Sequence, residues 1–249
     1  AMGIYGFSFP SIRPLHSLLY HEWNFRTELW HNFWRIVYYE PMFKSQCVRV
    51  GKRFIMEYAG NGCTKISGNI KIYLGDHVTI FDNTYFAGLK VFDNPAVYVG
   101  DHTYLGPRVN ILVGKEVRIG SHCLVASQLI TDNPGHSITN TMSRLKHRGG
   151  SPDPETIRPV SIGDYCFLPQ GTFVYPGVNV GDGVVARAGS HLSHSVPPFC
   201  QVGGMPATIR KLLPIPDELV EVVGEERFRF YREEHDRLLK QGFSYAQRK

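Results

Sequence analysis

The sequence predicts an all-β chain wound as a parallel β-helix, with a helical extension at each end. Three observations carry that expectation. Six-residue words recur through the second half of the 249 residues, glycine is abundant at 25 residues as a corner-rich coil requires, and helical spacing of apolar residues appears only outside the words.

The N-terminal extension comes first. Leu15, Leu18, Leu19, Trp23, Leu29, Trp30, Phe33, Trp34, Val37 and Tyr38 recur at helical spacing among His, Glu and Arg. Residues 1–49 are therefore read as a helical, aromatic-rich segment that packs on the prism or on a neighbouring subunit, with docking on a membrane surface as the alternative. No stretch of 18 or more apolar residues occurs, and the first residues lack the basic end and apolar block of a secretion signal, so a cytoplasmic protein is expected.

Residues 50–213 carry the coil. Its clearest words are Ile162-Gly-Asp-Tyr-Cys-Phe, Leu168-Pro-Gln-Gly-Thr-Phe, Val174-Tyr-Pro-Gly-Val-Asn, Val180-Gly-Asp-Gly-Val-Val and Ala186-Arg-Ala-Gly-Ser-His. An apolar residue opens each word, and a small or β-branched residue such as Cys166, Thr172, Val178 or Val184 fills the fifth place. Three words make one coil, with the opening side chain stacked inward on its equivalent one coil away. The same word recurs upstream with extra residues between copies, at Leu74, Ile80, Val99, Leu105, Ile119 and Val125, so on the order of six or seven coils are expected.

Residues 137–158 interrupt the words with a polar insertion that holds Arg144, Lys146, His147 and Arg148. A loop of this length inside a compact repeat reads either as a lid over an anionic or lipid-pyrophosphate-linked saccharide or as a loop that tolerates insertion. Pro214 and Pro216 then close the coil, and residues 214–249 form a C-terminal helix begun by Asp217.

The formal net charge of +5 suits an anionic ligand, but the charges are dispersed and no Lys/Arg block marks a nucleic-acid partner. Five cysteines without CxxC or Cys/His spacing indicate neither a disulfide framework nor a zinc site. Cys123 and Cys166 fill the fifth place of their words and read as buried thiols.

Residues Val99–Lys211 resemble the hexapeptide-repeat acyltransferases, a family built on a left-handed parallel β-helix. The resemblance rests on Pro159-Val-Ser-Ile-Gly-Asp-Tyr-Cys-Phe-Leu, Val180-Gly-Asp-Gly, Arg187-Ala-Gly-Ser, Val196-Pro-Pro-Phe and Gly203-Gly-Met-Pro-Ala-Thr-Ile-Arg-Lys. By spacing, the words are most similar to those of the maltose, galactoside and nodulation-factor O-acetyltransferases and the related polysaccharide O-acetyltransferases. That resemblance implies acetyl-CoA as donor, a saccharide acceptor, no metal, and a homotrimer with its sites between adjacent subunits.

It also implies site residues. The loop Ile130-Thr-Asp-Asn-Pro-Gly-His136 matches the one that carries the family's catalytic histidine. His136 is expected to take the acceptor hydroxyl proton, a task that suits an imidazole near neutral pH. Asp132 either fixes the tautomer of His136 or serves as a turn residue. The resemblance places the donor against Phe167, Gln170, Ala188, Gly189 and Ser193, with Arg210 and Lys211 near the nucleotide phosphates. The acceptor does not carry over, because Gly106 stands where the sugar enzymes have Asn. Nearby Asn110, with Arg144 of the insertion, is the substitute expected for substrate binding.

Two other activities share this kind of coil. A nucleotide-amino-sugar N-acetyltransferase would use a similar histidine on an amine, but no substrate domain of the usual sort precedes the coil. A γ-class carbonic anhydrase needs three histidines on zinc, whereas His77, His102 and His122 hold outward corners 25 and 20 residues apart, without the close His pair that chemistry requires.

Overall fold

Three parallel sheets form the walls of a triangular coil, and successive strands visit them in rotation. The computed structural model describes residues 9–57, 63–137, 141–142 and 152–245. The first face stacks Arg49–Val50, Lys71–Leu74, Ala96–Val99, Glu116–Ile119, Val160–Ile162 and Asn179–Val180. The second stacks Ile55–Glu57, Thr79–Phe81, Tyr104–Leu105, Leu124–Val125, Phe167–Leu168 and Val185–Ala186, then Cys200–Gly204 and the antiparallel return strand Ala207–Leu212. The third stacks Lys65–Ser67, Tyr85–Gly88, Asn110–Val113, Leu129–Thr131, Phe173–Val174 and His191–Leu192. Arg35–Tyr39 is a π-helical turn, Pro154–Thr156 is a short 3-10 turn within the coil region, and the helices Arg13–Trp34, Glu40–Lys44, Val220–Val223 and Glu225–Lys240 lie toward the two ends of the chain.

Each place in the word has a physical task. The opening residues pair in register as Leu74, Val99, Ile119, Ile162 and Val180, and none is more than 3% exposed. Each such side chain contributes about 1.5–3 kcal/mol by leaving water. Glycine holds the second place because the next coil approaches too closely for a side chain; a Cβ on Gly100 would lie 2.6 Å from the main chain of Gly120 and Ser121. The third place ties coil to coil. Asp76 accepts the amide of Lys52, Asp101 that of Asp76, Ser121 that of Asp101, Asp164 that of Ser121 and Asp182 that of Asp164, all at 2.7–3.1 Å.

The fourth place turns the corner in the left-handed backbone region, with φ of 56° at His77, 55° at His102, 56° at His122 and 60° at Tyr165. One consequence is a column of stacked rings up this edge, with centroids 4.4, 4.8 and 5.5 Å apart. Fifth-place thiols face inward and reach the next coil. Cys123 Sγ lies 3.1 Å from the Gly163 carbonyl and Cys166 Sγ 3.2 Å from that of Gly181. All five cysteines are free thiols.

Helices α1 (Arg13–Trp34) and α2 (Glu40–Lys44) precede the coil. Phe43 of α2 is buried on Phe54 and Phe86, and so plugs the open end of the core. Helix α1 has no buried residue. Its half-buried positions are Asn24, Thr27, His31 and Trp34, and it shares a groove with Ile55, Glu57 and Phe81 of the first coils. The mainly polar side thus faces the body, and the expectation that the apolar stripe packs on its own prism is not met.

At the other end, α3 (Glu225–Lys240) buries Tyr231, His235 and Leu238, spaced to share one helical face. It docks on the carboxylate ladder: Arg227 reaches Asp164 Oδ2 at 2.7 Å and Asp182 Oδ2 at 3.0 Å, and the Tyr231 hydroxyl donates to Asp182 Oδ2. Burial and that carboxylate push the Tyr231 hydroxyl well above its ordinary pKa.

Candidate active site

The third-to-first corner of the coil departs from the simple word after strand Leu129–Thr131. Asp132 is fully buried there. Its Oδ1 accepts the amide of Gly114 at 2.6 Å, and its Oδ2 accepts those of Lys115 at 2.6 Å and Glu116 at 2.7 Å, all in the preceding coil. Asn133, 3% exposed, donates from Nδ2 to Asp132 Oδ1 and to the Leu112 carbonyl, while its Oδ1 accepts the Gly135 amide at 2.9 Å. Thr131 Oγ1 donates to the Asn133 carbonyl. This buried polar frame fixes the turn through Gly135, whose φ of +80° is in the left-handed region. His136 follows directly and is exposed.

The acceptor positions of Asp132 that the structure fills go to main-chain amides and to Asn133. Asp132 therefore braces the loop that carries His136, through amides that belong to another coil. Residues 152–158 close over the same frame. The Arg158 amide donates to the Asp132 carbonyl, Ser137 Oγ donates to the Asp153 carboxylate, and Ile157 is buried 3.0 Å from where a Cβ on Gly114 would stand. Arg144, Lys146, His147 and Arg148 lie outside the described residues.

The residues expected at the donor follow a different edge. Phe167 is an outward side chain of the second face, 42% exposed. Gln170, Ala188 and Gly189 sit on the second-to-third corners of successive coils, joined where the Gly189 amide donates to the Gln170 carbonyl at 3.2 Å. Arg210 and Lys211 lie on the return strand that extends the second face, and Arg210 Nε donates to the Gly203 carbonyl. Ser193 is on the third-to-first corner, the edge of His136 but two coils on. Within one chain, therefore, the third face separates His136 from Gln170, Ala188 and Gly189.

The third face carries one cluster that sequence reasoning missed. The Tyr175 hydroxyl lies 2.9 Å from His191 Nδ1, and the His191 ring stacks on Phe173 with centroids 4.4 Å apart. Phe173 and His191 both end their words, a place that faces outward, and that was the available signal. Asn110 sits on this face one coil before His136. Its Nδ2 donates to the carbonyls of Arg108 and Gln128 at 3.0 and 2.9 Å, which commits its amide protons to the fold. Along the first face, a groove of about 1060 Å³ runs between the coil and α3, lined by Tyr73, Tyr98, Arg118, Asn179 and Phe230. Arg118 stacks 4.1 Å over Tyr98.

Among the described residues, no group of three His, Cys, Asp or Glu side chains is arranged to hold a metal ion. His77, His102 and His122 stack as parallel rings, a geometry that does not converge on a common point.

No protein-family model matches the chain. Curated relatives do. WcaF of Escherichia coli, assigned as an acetyltransferase of colanic acid biosynthesis, is 30% identical over 113 residues, which are 45% of this chain and 56% of that protein. WbbJ of Escherichia coli, assigned as a lipopolysaccharide biosynthesis O-acetyl transferase, is 28% identical over 125 residues, 49% of this chain and 64% of that protein. The galactoside O-acetyltransferase of Escherichia coli is 23% identical over 113 residues, 45% of this chain and 52% of its own length. The chain thus spans little more than half the length of the relatives it matches. Among solved structures, AntD, an N-acyltransferase from Bacillus cereus in complex with dTDP and 3-hydroxybutyryl-CoA, superposes with a TM-score of 0.54 at 17% identity, over 79% of this chain and 96% of that one. At that identity the likeness bears on the fold. In sequence, the relatives that this chain matches are named as acetyltransferases.

Proposed function

We propose that this protein is an O-acetyltransferase that moves the acetyl group of acetyl-CoA to a hydroxyl of a saccharide, in the assembly of a polysaccharide or lipopolysaccharide. The observation that carries the reading is His136: an exposed imidazole set directly after a buried polar frame, in a chain whose relatives are named for saccharide acetylation. An imidazole held there can remove the hydroxyl proton as the acceptor oxygen attacks the thioester carbonyl. The C–O bond forms, the C–S bond breaks, and the proton passes through the ring to the departing CoA sulfur. No covalent enzyme intermediate is required, so donor and acceptor are bound together.

The separation of His136 from Gln170, Ala188 and Gly189 by the third face supports a site shared between chains. In this reading the coil is left-handed and three copies close about a three-fold axis, so that His136 of one subunit faces the donor residues of the next. Phe167 and Ser193 contact the pantetheine arm, and Arg210 and Lys211 meet the phosphates, Arg210 with a planar fork of donors. Asn110 lies beside the sugar, and the protein works in the cytoplasm.

The test is CoA thiol release from acetyl-CoA in the presence of a panel of saccharides and nucleotide-amino sugars. Release with hydroxyl acceptors that carry no free amine supports the proposal. Release confined to amino-sugar nucleotides would replace it with N-acetylation.

A further inference from the structure

Helix α1 is turned the wrong way for a helix that serves its own core. Its half-buried residues Asn24, Thr27 and His31 lie on the side that meets the first coils. Leu18, Trp23, Phe25, Leu29, Trp30 and Phe33 are each 51–70% exposed. At 3.6 residues per turn these six positions cover nearly half the circumference, wider than the a/d seam that one partner helix would cover. The charges on that side, Glu22 and Arg26, neutralise each other at 2.9 Å. Aromatic and leucine side chains in a broad arc match the boundary between headgroups and acyl chains, where indole rings settle with one polar edge in water.

A second feature lies at the same end of the prism. Arg49, Lys52 and Arg53 fall within five residues that contain no carboxylate, whereas Lys44 just before them is paired with Glu40 at 2.6 Å. Arg49, Lys52 and Arg53 are exposed in the first coil, just before Ile55–Glu57, the strand that shares a groove with α1. Positive charge next to an outward apolar helix is complementary to an anionic bilayer, with the cations supplied by the coil instead of by the helix. Among the described residues no helix is long and apolar enough to cross a membrane, which leaves docking in the plane of the surface.

We infer that α1 and the first coil form a peripheral docking site for an anionic membrane surface. The site would hold the coil at a bilayer where lipid-linked saccharides are presented, but the inference stands without the acetyl-transfer reading, because none of its residues is assigned to that chemistry.

Co-sedimentation of the full chain with sucrose-loaded vesicles tests it. Binding to phosphatidylcholine vesicles containing 30% phosphatidylglycerol should exceed binding to pure phosphatidylcholine by about tenfold and fall steeply with salt, as expected for a polybasic contribution. Trp30→Ser with Phe33→Ser should abolish binding, and Arg49→Glu with Lys52→Glu should remove the preference for anionic lipid. Both variants should keep the parent's oligomeric state in analytical ultracentrifugation and its thermal midpoint. Absence of vesicle binding, or binding unchanged in either variant, would overturn the inference. Dissociation of the Trp30→Ser, Phe33→Ser variant into smaller species would overturn it too, and would assign the apolar arc to a second copy of the chain.

Discussion

The buried carboxylate of Asp132 holds the amide of Gly114, eighteen positions earlier and one coil back, at 2.6 Å. The amides of Lys115 and Glu116 complete the set, so one side chain pins two consecutive corners beneath His136. A carboxylate is the right group there because it accepts on both oxygens, and bonds to a charged acceptor are the stronger kind. Asp132→Asn would turn an N–H₂ toward amide donors. The variant should lose about 2–4 kcal/mol of stability, measured by urea unfolding, since a buried donor is left facing another donor. Its pH–rate profile should keep the parent's shape. A shifted profile with unchanged stability would mean that Asp132 acts on the histidine ring.

His102 holds a left-handed corner at φ 55°, between the rings of His77 and His122. Asn tolerates that backbone, whereas a β-branched side chain does not. His102→Asn should therefore change stability by less than about 1 kcal/mol and His102→Val should cost about 1–3 kcal/mol, both read from urea midpoints. Equal effects would place the energy in the ring stack instead of the backbone.

Acid should loosen the C-terminal helix. His235 is fully buried, with Nε2 3.2 Å from the Pro198 carbonyl and Nδ1 3.3 Å from the Tyr245 hydroxyl, and burial lowers its pKa. Because the unfolded chain takes up this proton first, stability is unaffected above the unfolded value near 6.5 and is lost as pH falls from there toward the folded value. The parent's unfolding free energy should decline as pH falls below about 6.5 more steeply than that of His235→Leu. Parallel slopes would remove His235 from the acid response.

Burial also pushes Cys47 and Cys200 up to about 12, and Cys123 and Cys166 lie in the core. Thiolate is the reactive form, so Cys47 and Cys200 should resist a thiol reagent at about pH 8 in the folded protein, Cys123 and Cys166 should be shielded by burial, and all four should react once the chain is unfolded. Rapid native labelling at Cys123 or Cys166 would show that the coil opens.

The coil was legible because its words repeat a stereochemical task at each place: an inward opener, a glycine for close approach, an Asp for the neighbouring amide, a left-handed corner. Val99-Gly-Asp-His and Ile162-Gly-Asp-Tyr announce this locally. The hydrogen-bond partners of Asp132 and Asn110 were not legible, because both bond to groups in other coils, and sequence spacing does not say which coil lies above which corner once insertions intervene. The orientation of α1 was hidden for a related reason. Periodicity identifies an apolar stripe but not the direction in which it points, and here Asn24, Thr27 and His31 turn toward the coil.

The proposed transfer turns on His136 as the base. The direct measurement is single-turnover acetyl transfer by His136→Ala, alongside CoA affinity by calorimetry. Transfer should slow by at least about a hundredfold while the CoA dissociation constant stays within about twofold, as expected when an acid–base group alone is lost. Transfer at the parent's rate would contradict the mechanism.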